Sequence, residues 1–149
     1  MARPGSNISF PERYARMGIT GVWAASEDRD GVWNGLTQRR TIATTGARAI
    51  GSFEINGHVI GQEFWSADEP TLAISIFGTD ELAELTVFRD GSDAVLQLQP
   101  GVRDMQLKWT DPNTAPGELH SYYVRAIQAD GHRIWLSPIW MRRTAASND

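Results

Sequence analysis

The stretch SYYVRAIQADGHRIWL, residues 121–136, sets two runs of alternating apolar and polar side chains around Asp130-Gly131. Alternation of period two marks a strand with one buried face, and an Asp-Gly pair between two such runs is a hairpin signal. The same grammar recurs upstream: Asn56-Gly57 separates GSFEI from HVIGQ, and Asp90-Gly91 separates ELTVFR from AVLQLQ. Leu72, Ile74 and Ile76 alternate with Ala73 and Ser75, and Met105, Leu107 and Trp109 alternate with Gln106 and Lys108. The pattern predicts seven or eight strands among segments near 41–45, 50–55, 58–61, 71–78, 83–89, 94–99, 104–109, 121–128 and 132–141, the last broken at Pro138.

Short strands punctuated by turns, with no helices between them, favour a mainly β chain: an antiparallel immunoglobulin-like or fibronectin-like β-sandwich. A tyrosine at the entry of a late strand is where such sandwiches place a buried corner residue. Tyr122 is expected in that role, with its hydroxyl bonded to backbone near residues 116–118. Trp109 on the preceding strand is expected in the core. The polar, proline-containing segment DPNTAPGE, residues 111–118, reads as a crossing connection between sheets.

Ahead of the strands the period lengthens. In SEDRDGVWNGLTQRR, residues 26–40, Val32, Trp33 and Leu36 share one face of a short amphipathic helix, which precedes the sandwich. Asp28 or Ser26 suits its N-cap, Asp30 suits the positive end of its dipole, and Arg39 with Arg40 suits the negative end. Gly31 and Gly35 each cost the helix about 1 kcal/mol against alanine, so packing of the Val32, Trp33 and Leu36 face is expected to hold it.

Composition narrows the function classes. The 149 residues are 41% hydrophobic and 21% charged, which suits one globular domain rather than a disordered chain. A formal charge of −4, with a pI near 5.3, is the wrong sign for a partner of nucleic acid or anionic lipid. Residues 1–21 hold no apolar run long enough for a signal peptide or membrane helix. Cysteine is absent, which removes disulfides, thiolate metal sites and cysteine nucleophiles and leaves the compartment open.

Candidate chemistry is sparse. His58 and His132 each follow a hairpin turn and His120 enters a strand, with no pairing at metal-ligand spacing. No serine elbow or phosphate loop is present. Acyl transfer and nucleotide hydrolysis therefore lack their parts, and a small stand-alone hydrolase would have to build its site from Asp, Glu or His. Arg39, Arg40, Thr44, Thr45, Gly46 and Arg48 combine guanidiniums, hydroxyls and a glycine that together suit an anion or an interdomain contact. Helix capping, strand propensity and a turn account for the same residues and are the favoured reading. Six tryptophans invite a carbohydrate or peptide recognition reading. Trp33 and Trp109 fall on apolar faces, whereas Trp65, Trp135 and Trp140 are the ones open to ligand stacking.

The order Arg3-Pro4-Gly5, Gly18-Ile19-Thr20-Gly21-Val22-Trp23-Ala24, Leu36-Thr37-Gln38-Arg39-Arg40 and Ala43-Thr44-Thr45-Gly46 resembles the C-terminal part of large bacterial proteins of unknown function. Those proteins are related to the polymerase and histidinol phosphatase (PHP) superfamily of metal-dependent phosphoesterases. The later pieces, Tyr122 to Gln128, Asp130-Gly131-His132 and Ser137-Pro138-Ile139-Trp140, are similar to the end of that family's β-sandwich. The resemblance implies that residues 1–46 are a linker and helix from the end of a catalytic barrel, 47–143 a sandwich domain and 144–149 a frayed tail. The family's last metal-ligating histidine stands just before its Arg-Pro-Gly, where this chain has Met1-Ala2. No ligand is thereby carried into this chain, and a divalent metal is expected only in an upstream catalytic domain. The function so implied is that of a noncatalytic accessory domain packed against an upstream catalytic barrel. Self-association through the 26–40 helix is the expected alternative when that barrel is absent.

Overall fold

The computed structural model describes residues 17–145. The Arg3-Pro4-Gly5 run and the final four residues lie outside them. The described chain runs β1 (Ile19–Val22), α1 (Arg29–Thr37), β2 (Thr41–Thr44), β3 (Ile50–Ile55), β4 (His58–Val59) and β5 (Glu63–Ser66). It continues through β6 (Thr71–Arg89), β7 (Asp93–Leu98), β8 (Val102–Thr110), β9 (Leu119–Gln128) and β10 (Arg133–Arg143). The result is mainly β with one short helix, as the turn and strand pattern predicted, and its strands form an antiparallel sheet curled into a sandwich. β5, which runs parallel to β10, is the exception.

The two segments read as separate strands, 71–78 and 83–89, are one strand. The first half of β6 pairs with β3 and β8, and the second half with β7 and β9. One layer is therefore β4, β3, β6 and β8. The other carries β7, β6, β9, β10, β2 and β1 in order, with β5 on the far end of β10. The segment 111–118 joins β8 in one layer to β9 in the other, as a crossing connection should.

Bulges keep the core sides consistent along these long strands. On β10, Ile134 and Leu136 face inward, and so do Ile139 and Met141. Three residue steps on β10 match two on β9 between Leu136 and Ile139. The extra residue at Ser137-Pro138 shifts the inward phase from even to odd positions, and proline needs no ladder hydrogen bond there. A similar irregularity between Leu82 and Glu84 turns β6 from inward Leu72, Ile74 and Ile76 to inward Leu85 and Val87. The resulting core joins Phe53, Leu72 and Ile74 of one layer to Val87, Val124 and Leu136 of the other. All three hairpin dipeptides turn the chain, but differently: Asn56 and Asp90 take φ of 50° and 51°, each followed by a glycine with positive φ, whereas at Asp130-Gly131 only the glycine does.

The sheet begins before residue 47. β1 pairs with β2, and β2 pairs with β10, so the segment expected to be a linker supplies two strands of the second layer. β1 (ITGV) and β5 (EFWS) show no alternation of apolar and polar residues, which is why they escape a reading by period.

Tyr122 is fully buried, but its hydroxyl donates to Asp111 Oδ2 at 2.9 Å rather than to backbone near residues 116–118. Asp111 is also buried, and its carboxylate accepts from Arg89 Nη1 at 2.9 Å and from the Asn113 N–H at 3.0 Å. Burial and the neighbouring Asp111 carboxylate raise the Tyr122 pKa above its ordinary value, so it stays a donor. Tyr122 is thus buried at the strand entry as expected, but a carboxylate paired with Arg89, not backbone, is its acceptor. Tyr122→Phe removes a hydrogen bond to a buried charge and should lower stability by about 1.5 to 3 kcal/mol in urea denaturation. An unchanged midpoint would contradict this account of the corner.

Candidate interaction surface

Helix α1 occupies the connection between β1 and β2, and its start follows the sequence. Asp28 is the N-cap, accepting from the Gly31 N–H at 2.7 Å while Ser26 donates to it. That N–H, with the Ser26 hydroxyl, holds the Asp28 carboxyl below its usual pKa. At the other end Arg39 takes φ 59°, the Arg39 N–H donates to Leu36 O and the Arg40 N–H to Gly35 O. This is the double bond pattern of a Schellman turn, here closed by arginine instead of glycine.

The packing face of α1 is the reverse of the expected one. Gly31 and Gly35 are buried, whereas Val32, Trp33 and Leu36 are exposed, Trp33 by 64%. A methyl group at Gly31 would sit 2.3 Å from the Ser26 carbonyl oxygen, and one at Gly35 2.5 Å from Val22 Cγ1. The glycines permit close approach to the chain leaving β1, which leaves the apolar side chains pointing away from the sandwich.

Trp23, at the end of β1, joins this exposed face to the sheet. Its indole N–H donates to Gly51 O of β3 at 3.1 Å, and its ring remains 46% exposed. A cavity of about 260 Å³ opens on Trp23, Arg40, Phe53, Glu54, Val59 and Ile60. A second, of about 210 Å³, also opens on Trp23, with Val22, Ile42 and Ile50. Ile19 and Ile50 are exposed as well, so β1, α1 and the start of β3 all contribute apolar side chains to the surface.

The sequence candidates for an anion cradle are separated by their own hydrogen bonds. Thr44 Oγ1 donates to Ala47 O, and Thr45 Oγ1 lies 3.0 Å from His132 Nδ1 and accepts from the Arg133 N–H. Gly46 donates its N–H to Thr44 Oγ1, and Arg48 is exposed. Arg39 donates to Gly61 O and lies 4.8 Å over the Trp140 ring, whereas Arg40 lines the Trp23 cavity.

The remaining tryptophans take different settings. Trp65 is 68% exposed with Arg142 5.2 Å over its ring, and Trp135 lines another hollow with Tyr123 and Pro138. Trp109 packs on the core. Among the described residues no group of three His, Cys, Asp or Glu side chains is placed to hold a metal ion, and no helix is long and apolar enough to cross a membrane. His58 stacks on Phe64.

His120 forms a polar clamp elsewhere, at the start of β9. Its Nδ1 lies 2.7 Å from Asp90 Oδ2 in the β6–β7 turn, and its Nε2 3.0 Å from Glu118 Oε2. Only an imidazolium donates to both carboxylates at once. Partial burial opposes the charge, but the bonds to Asp90 and Glu118 outweigh it and raise the His120 pKa. No signal in the sequence marked this clamp, because Asp90 is 30 residues away.

Comparison with known proteins places this geometry in context. Residues 3–68 match the family described as a protein of unknown function, DUF3604. An uncharacterized protein of Chlamydia muridarum is 30% identical over 142 residues, covering 83% of this chain and 22% of the relative. The corresponding protein of Chlamydia trachomatis is also 30% identical with the same coverage, and one from Chlamydia pneumoniae is 26% identical over 141 residues. The chain thus spans about a fifth of the length of the curated relatives it matches. Among solved structures, the fibronectin(III)-like modules of Clostridium thermocellum CbhA align over 60% of this chain and 94% of that one. That alignment has 13% identity and a TM-score of 0.39.

Two outcomes check the local geometry. Gly31→Ala should destabilise the chain by about 1 to 2 kcal/mol in urea, because overpacking against Ser26 outweighs the roughly 1 kcal/mol gained in helix propensity. A stabilised variant would show that α1 does not sit on its glycine face. For His120 the folded pKa lies above the unfolded one, so its contribution is complete below about pH 6.5 and fades as pH rises through the elevated value. Stability should fall over that range by about 1 kcal/mol or less, as for pairs near a surface, and His120→Gln should flatten the profile. An identical profile in the variant would refute the clamp.

Proposed function

We propose that this chain is a noncatalytic β-sandwich accessory domain of a longer protein, and that the face built by β1, α1 and the start of β3 packs against the rest of that protein. The observation that carries this reading is the orientation of α1. A helix that turns its glycines to its own sandwich and Val32, Trp33 and Leu36 outward is built to meet something else. Contiguous exposed apolar surface marks interaction sites more often than isolated side chains do. The curated relatives, of which this chain spans about a fifth, are long enough to supply the remainder.

The resemblance read from the sequence extends the proposal to the kind of parent: a PHP-type metal-dependent phosphoesterase, with the divalent metal held in its own barrel. What supports that finer step is the order of sequence pieces across residues 3–46, within the stretch that matches the family of unknown function. A recognition module for carbohydrate or peptide is the second reading. It is favoured by the exposure of Trp65 and by the hollow at Trp135.

The accessory reading expects the dialysed chain to carry no stoichiometric zinc or manganese and to hydrolyse no phosphoester with either metal added. It also expects a mass that rises with concentration in sedimentation, because the apolar face finds a second copy when nothing else covers it. Replacing Trp33 and Leu36 together by serine should abolish that rise and leave the denaturation midpoint within about 0.5 kcal/mol of the parent, as for exposed positions. Tight metal, turnover, or a midpoint collapse in the double variant would each overturn the reading.

A further inference from the structure

Arg40 is the odd group of the exposed face. Its Nε is buried without a hydrogen-bond partner, and no carboxylate among the described residues forms an ion pair with it. Arg125 and Arg143 also have unpartnered Nε atoms, but each of those guanidiniums donates through another nitrogen, to Glu84 and to Thr114. Among the described residues no side-chain hydrogen bond of Arg40 compensates in the same way. A buried guanidinium nitrogen without an acceptor is costly, and native structures leave few of them.

Arg40 also lines an open cavity. Arg40 shares the 260 Å³ cavity with the Trp23 indole, which the Gly51 carbonyl holds in place, and with Phe53, Val59 and Ile60. Those walls are apolar, and the other charged group in them, Glu54, is acidic. A bare anion would meet Glu54 as well as Arg40 and gain nothing from the walls. A group with an apolar body and a single carboxylate satisfies both the walls and the guanidinium, which can bind a carboxylate through two parallel N–H donors.

We infer that this cavity receives an apolar side chain and an adjacent carboxylate from a segment of the longer protein, so that Arg40 is the charged anchor of the face proposed above to pack against it. The inference rests on that reading for the identity of the occupant. A protein segment is favoured over a free organic acid because Trp23 also lines the neighbouring hollow with the exposed Ile50, so apolar surface extends past the cavity. Charge complementarity then selects Asp or Glu beside the apolar residue.

The test uses the whole chain labelled with nitrogen-15 and two synthetic probes, N-acetyl-leucyl-aspartate amide and its asparagine counterpart, with sodium acetate as the small-anion arm. The aspartate peptide should shift the Trp23 indole and Arg40 Nε resonances saturably, with affinity about tenfold above that of the asparagine peptide. Acetate at the same concentration should give no saturable shift. Arg40→Gln should abolish the preference, and Glu54→Gln, which leaves Arg40 in place, should strengthen aspartate binding severalfold. Equal affinity of the two peptides, a saturable acetate site, a preference surviving in Arg40→Gln, or an indifferent Glu54→Gln variant would each overturn the inference. A chain that retains metal and turns over phosphoester yet still prefers the aspartate peptide would defeat the accessory reading and leave this site standing. The converse result would spare the accessory reading.

Discussion

One strand serves both layers, and the bend that allows this has to be hydrogen-bonded from the side. β6 changes pairing partners around Gly78 and Thr79, where the ladder to neither layer is complete. Gln128 supplies the missing partners: its Oε1 accepts the Thr79 N–H at 2.9 Å, and its Nε2 donates to Thr79 Oγ1 at 3.0 Å and to Asp130. The amide is almost fully buried, so these bonds are strong and their loss would leave backbone polar groups unsatisfied. Asp130 in turn accepts from the His132 N–H in the β9–β10 turn, which ties the bend of β6 to the hairpin beside it. The crossing of β6, the end of β9 and the start of β10 are thus fixed as one unit, and the layer that carries the exposed face is built outward from it.

How far the sequence discloses this depends on the range of each signal. Alternation revealed the long strands because burial of one face repeats every second residue, and at Asn56-Gly57 and Asp90-Gly91 both residues took the positive φ such pairs imply. Pro138 marked a break that became a bulge, a local effect of a local residue. β6 was legible only as two strands, since Gly78-Thr79-Asp80 reads as a turn when seen alone. What makes it continuous is Gln128, which lies 49 residues downstream of Thr79. The Tyr122 acceptor was hidden for a related reason: strand position predicts a buried tyrosine, but nothing local says that Asp111 and Arg89 converge on it.

The site was less legible than the fold, and α1 shows why. A helical wheel ranks faces by apolar content and so assigns the inside to Val32, Trp33 and Leu36. Packing distance ranks them differently, because only the glycines let the helix backbone approach the chain between β1 and Ser26 so closely. The arginines diverge by the same local logic. With Arg39 in a left-handed conformation the chain turns sharply, sending one side chain toward Gly61 and Trp140 and the next into the Trp23 cavity. Two neighbours in sequence that suggested one anion cradle therefore serve separate surfaces.

The edges of the sheet support the same assignment of faces. An unpaired strand edge invites pairing, and natural sheets blunt such edges with charge, brevity or cover. β8, which pairs only with β6, carries Arg103, Asp104 and Lys108, and β7 begins on Asp93. β4 has two residues. β1 differs: Ile19, Thr20, Gly21 and Val22 bring no charge to an edge that, among the described residues, pairs only on the β2 side. It also lies beside Trp23 and the outward face of α1, so among the described residues this uncharged edge and exposed apolar side chains coincide. The remaining edge strand, β5, is short and begins on Glu63, so among the described edge strands longer than two residues β1 alone carries no charged side chain.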